Sequence, residues 1–166
     1  MKSLITILGI LGIVGLVVGP LVQAADTATA TVTATVTVQN ISLTVSDGSI
    51  TYGTIAANSS KSTCDLSDTQ TVTNNGNVAE TFNIKGQNSA NWTLATTPGT
   101  DQYVHKFATS SCPWTTGTAL TTSYQTMQTN VAVNATSTLN LQITTPNPST
   151  VFTEQSVNVT VEAVAY

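Results

Sequence analysis

The sequence predicts an all-β fold, an antiparallel immunoglobulin-like β-sandwich of about eight or nine strands behind an N-terminal signal helix. Three observations carry that expectation. Beyond the N-terminus, apolar residues recur with period two, and no segment repeats them at i, i+3, i+4 and i+7. Only 7% of residues are charged, whereas Ser, Thr and Asn are abundant, so hydroxyls and amides must wet the surface. Residues 28–38, ATATVTATVTV, place Ala28, Ala30, Val32, Ala34, Val36 and Val38 on one face of a strand and Thr on the other.

The N-terminal segment has one cation, Lys2, an apolar stretch over residues 4–18, then Gly19, Pro20 and the small-residue pattern Val22-Gln23-Ala24. This reads as a secretory signal cleaved after Ala24; the alternative is an uncleaved membrane anchor, which would be the chain's only means of holding a membrane. Either way the following residues face the outside. Three regions are expected: residues 1–24 as signal, 25–40 as a β-strand arm, and 41–166 as the sandwich. Removing 24 of 166 residues leaves 142, enough for one domain with a core. Three Lys then face eight acids, a net charge of −5, and Arg is absent throughout. Nucleic acid is excluded as a partner on that balance, since phosphate contacts need Lys and Arg.

At ~3.3 Å per residue, residues 28–38 would span ~36 Å, about twice a usual strand. Two fates are open to them: donation to a neighbour's sheet, or pairing within their own domain. Apolar positions are even through Val38 and odd from Ile41 to Leu43 and Val45, so Gln39 and Asn40 must absorb a one-residue shift. Asp47-Gly48 predicts a hairpin turn into a strand at residues 50–55. A polar loop over residues 57–68 carries Cys64. Strands at 69–73 and 78–84 flank Asn74-Asn75-Gly76-Asn77, where Asn-Gly predicts a tight hairpin. Val78, Phe82 and Ile84 share a face with Glu80, which is expected at a water-accessible rim.

Shorter strands are expected at 91–95 and 102–108, a loop with Cys112, Pro113 and Trp114 at 109–117, and weak strands at 121–127 and 129–133. The last pair is 138–144, with Leu139, Leu141 and Ile143 inward, and 156–164, with Val157, Val159 and Val161 inward. An eight-stranded outer-membrane barrel is the alternative architecture; aromatic girdles and ten-residue lipid-facing strands are missing. Cys64 and Cys112 suggest one disulfide in an exported chain. Two free thiols, or pairing between subunits, are the other readings.

No catalytic constellation stands out. His105 is the single histidine, so an HExxH motif and a two-histidine metal site are both impossible within one chain. Cys112 and His105 could pair as nucleophile and base, but a disulfide removes the thiol. Asp65 and Asp68, with Asp47 or Asp101, lack the spacing of an EF-hand or a calcium repeat and are expected as solvated loop carboxylates. No cofactor is expected. Five N-x-S/T sequons among thirteen Asn are what a Ser- and Thr-rich chain produces by chance. Trp92 and Trp114 are candidates for stacking on a sugar, or else anchors of core and loops.

The segment TVTNNGNVAETFNIKGQNSANWTLA, followed by LNLQITTP and SVNVTVEAVA, resembles short secreted bacterial β-sandwich proteins of unknown function over nearly the whole mature chain. The N-G-N turn and the closing V-x-V-x-V strand are distantly similar to the TasA and camelysin biofilm-fibre family, and Trp92-Thr93-Leu94 matches the short motif of WxL surface domains. These resemblances imply a cell-surface location and, from TasA, fibre assembly by an N-terminal strand donated to the next subunit. The expected function is thus a noncatalytic secreted surface or matrix protein whose partner is itself. The alternative is an adhesin that binds a glycan or surface ligand through loops at one end of the sandwich.

Overall fold

The computed structural model describes residues 27–166, so the expected signal at 1–24 and residues 25 and 26 of the arm lie outside them. Two compact units divide the chain, Met1–Val36 and Thr37–Tyr166. In the first, the described residues form no helix or strand and are exposed. The second is an all-β sandwich in which two sheets pack face to face.

Ten strands and one short helix make up the sandwich: β1 (Leu43–Val45), β2 (Ser60–Ser62), α1 (Thr63–Leu66), β3 (Gln70–Asn74), β4 (Glu80–Lys85), β5 (Thr93–Leu94), β6 (Gln102–Ala108), β7 (Thr118–Ala119), β8 (Gln125–Val131), β9 (Thr136–Thr144) and β10 (Thr160–Ala165). The larger sheet runs β1-β3-β9-β6-β5, with β2 added on β9 and β7 on β6. The smaller one runs β10-β4-β8. All ladders are antiparallel except β5 on β6. β9 is the spine: its first half pairs with β3, its second half with β2, and β6 lies along its other side.

The core lies between the layers. Phe82, Ile84, Met127 and Val131 from the small sheet meet Val72, Phe107, Leu139 and Leu141 from the large one, with Leu120 closing one end. Alternation accounts for this directly: in β3 and β4 every second residue is buried, as period two requires when one face meets the other layer.

The Asn74-Asn75-Gly76-Asn77 turn is not a hairpin. β3 and β4 belong to different sheets, so the turn carries the chain across the sandwich. None of its residues adopts a positive φ. The Asn74 side chain shapes it instead, donating to the carbonyls of Val78 and Val131 at 2.9 Å each and accepting from the Gly76 N–H at 2.8 Å. Gly76 is required for space, since a Cβ there would strike Glu80 Oε1 and the Asn40 carbonyl.

Glu80, expected at a wet rim, is fully buried. Its Oε1 accepts the Ser42 N–H at 2.8 Å, which offsets part of the cost of losing water. Asp47 and Gly48 do take the paired positive φ of a tight turn, 42° and 78°. The residues that follow, 50–55, join no ladder, contrary to the predicted strand, and Gly53 among them has a φ of 70°. Residues 28–38 likewise form no ladder among the described residues. The weak strands expected at 121–127 and 129–133 are one strand, β8.

Candidate functional site

Three places deserve a functional reading: the arm and its root, a cleft in the sandwich, and the disulfide corner. At the root, Asn77 grips the chain where it enters the domain. Its side chain accepts the Asn40 N–H and donates to the Val38 carbonyl, both at 2.8 Å, while its own N–H donates to the Asn40 carbonyl at 3.1 Å. The Asn75 N–H adds a bond to the Ser42 carbonyl at 2.8 Å. The change of alternation after Val38 is therefore absorbed by a bonded stretch ahead of β1. Beyond this root the arm is bare: Val32, Val36 and Val38 are 89%, 92% and 81% exposed.

The cleft has a volume of about 1120 Å³. Its floor is the inner face of β9, with Leu139, Leu141 and Ile143; one wall is residues 49–57 and the other is residues 151–159 leading into β10. Both walls lie outside the ladders, and among the described residues none of their N–H groups makes a loop or turn bond to the backbone. Ile50, Tyr52 and Ile55 on one wall, and Val157, Val159 and Val161 on the other, turn partly inward.

His105 on β6 and Trp92 also line the cleft. His105 is only 2% exposed, and its Nε2 lies 3.1 Å from the Tyr52 hydroxyl. Burial holds its pKa down at about 4, since a charged imidazole there would lose its water. The Tyr52 hydroxyl is pushed up by burial, and further by the Asp68 carboxylate. Tyr103 stacks obliquely between the Trp92 and His105 rings and donates its hydroxyl to the Gln87 carbonyl; burial raises its pKa as well. Two buried polar atoms of this group have no partner, Trp92 Nε1 and His105 Nδ1. Spacing could not have revealed this grouping, because β6 and the wall at 49–57 meet only through tertiary pairing.

Trp114 sits apart from this group, its ring against Gly117, where a Cβ would strike it. Cys64 in α1 and Cys112 are joined in a disulfide with Cα atoms 5.5 Å apart, so the pair offers no thiol nucleophile to His105. Buried Asn140 braces that corner: it accepts the hydroxyls of Thr63 and Thr69 at 2.9 and 2.8 Å and donates to the Ser110 carbonyl at 2.8 Å.

The aspartates are dispersed and locally used. Asp65 completes a capping box with Ser62, whose N–H and hydroxyl hold its carboxyl below the usual carboxylate range. Asp101 binds the Thr150 hydroxyl and N–H, with the same effect. Asp68 accepts from Gln70, and Asp47 from Ser49. Among the described residues no three His, Cys, Asp or Glu gather as metal ligands. The chain matches no family model, no curated protein and no solved structure.

Proposed function

We propose that the protein is a noncatalytic secreted structural subunit of the cell surface or extracellular matrix that assembles with copies of itself by donating residues 28–38 as a strand. The observation that carries this reading is the arm itself, a β-patterned stretch whose valines stand in water without a ladder. Burying such a side chain is worth about 1.5–3 kcal/mol, and a lone unpaired strand is an invitation to pairing. The signal-like residues 1–24 and the disulfide support an oxidising, exported setting. The fibre role is what the sequence's distant resemblance to the TasA family implies.

Deleting residues 25–38 is the direct test. Sedimentation of the mature wild-type protein is expected to show concentration-dependent growth to large species, and the deleted chain to remain monomeric. A wild type that stays monomeric at high concentration would falsify the proposal.

A second reading, attachment to a glycan or host surface, is favoured by one observation: Trp92 lines the cleft with an unpartnered N–H. It requires binding on a glycan array that Trp92→Ala weakens at least about tenfold while Trp114→Ala leaves it unchanged. An array without binding, or binding indifferent to Trp92→Ala, sinks it.

A further inference from the structure

We infer that the cleft between residues 50–55 and 152–159 is the acceptor for the arm of a second copy, which enters it as the strand missing between two unpaired walls. This rests on the strand-donation reading above and adds where the strand goes.

Both walls lie outside any ladder, and their partly buried residues alternate over part of their length: Ile50 and Tyr52 on one side, ahead of Gly53 with its φ of 70°, and Val157 and Val159 on the other. A wall without a ladder leaves main-chain N–H and C=O groups unpaired, and such groups are satisfied most economically by an added strand. Phe152 is 88% exposed at one end of its wall.

The arm has the matching chemistry. Its Ala and Val face is small and apolar, as a floor of Leu141 and Ile143 requires, and its Thr face is suited to the wet side. It carries no charge. Apart from exposed Glu154, no carboxylate or ammonium lines the cleft, so entry strands no ion. Eleven residues reach ~36 Å, against ~20 Å for the six residues of the shorter wall, which leaves chain to bridge between copies.

A second copy is the occupant that the root favours. Asn77 holds Val38 and Asn40 at the end of the sandwich where β3 finishes, whereas the cleft begins near Gln70, where β3 starts, and runs on along β9 to Thr145. Root and cleft thus lie toward opposite ends of β3, which suits subunits placed head to tail, the geometry that grows into a filament.

Hydrogen exchange read by mass spectrometry on the full mature chain, across a dilution series, tests this without any substitution. On assembly, residues 28–38, 50–55 and 152–159 are expected to slow together by at least about tenfold. Slowing of 28–38 without both walls overturns the cleft as acceptor and leaves strand donation standing. Absence of slowing at 28–38 overturns both. Slowing already complete at the highest dilution, where the chain is monomeric, puts the arm in its own cleft and overturns the second copy as occupant.

Discussion

Removing the Cys64–Cys112 bridge, by the double substitution Cys64→Ser and Cys112→Ser, is expected to lower the stability of the sandwich by about 4 kcal/mol. The bridge closes a loop with a sequence separation of 48 residues, and in the chain-entropy model a loop of that length gives this magnitude at room temperature. For a domain of this size the loss corresponds to a melting point lower by roughly 8–16 °C. The native corner is expected to persist, because Asn140 ties Thr63, Thr69 and Ser110 independently of the sulfurs. The bridge therefore acts mainly on the unfolded chain. Urea unfolding of wild type and double variant, both at a dilution where neither assembles, measures the difference. A loss under about 1 kcal/mol would mean that the unfolded chain keeps residues 64 and 112 close without the bond.

Acidification is expected to remove about 3 kcal/mol of stability between pH 6.5 and pH 4, through His105. The folded protein holds this imidazole neutral down to about pH 4, whereas in the unfolded chain it takes a proton near pH 6.5. Within that window the unfolded state binds more protons, so stability falls as pH falls; above the window the contribution is fully present. The groups around the ring do not supply a compensating charge: Tyr52 and Tyr103 both stay neutral, their hydroxyls pushed upward by burial. Asp65 and Asp101 are held below the usual carboxylate range by their hydrogen bonds, so their own titration lies under the window. Because the chain has no other histidine, the assignment is direct. His105→Gln, which keeps a polar partner for the Tyr52 hydroxyl, is expected to flatten the dependence between pH 6.5 and 4. Urea midpoints of wild type that do not move across that interval would show that water reaches the ring.

Strand positions were readable where the pattern was local and strong. Residues 102–108 form β6 with the expected bounds, Leu139 and Leu141 point inward from β9, and Asp47-Gly48 makes its positive-φ turn. Failures came where a partner from elsewhere in the chain decided the outcome. Asn-Gly at 75–76 suggests a hairpin by local propensity, but Asn74 bonding to Val131 on β8 directs the chain across the sandwich. Glu80 follows the period of its strand into the core; the main-chain donor of Ser42, 38 residues away, is invisible in the local sequence. Residues 50–55 have strand-like composition, yet composition cannot say whether a neighbour lies beside them.

The same blindness covers the cleft, whose lining extends from Val45 to Val161 and has no signature at any single stretch. Export and cysteine count suggest the pairing, and the structure supplies the proximity that spacing lacks. Trp92 and Trp114 were candidates as a pair; the fold gives them different neighbours, and only Trp92 lines the cleft.

The grip of Asn77 on Val38 and Asn40 also decides how the sandwich bears tension. A pull on the chain at Val38 passes through Asn77 into the turn between β3 and β4, and so is divided between both layers at once. Without that grip the same force would pass to the bonds of Ser42 with Glu80 and Asn75, and then to three-residue β1 on β3. Asn77, with Asn75 and Glu80 behind it, thus makes an edge prone to peeling into a junction loaded in parallel.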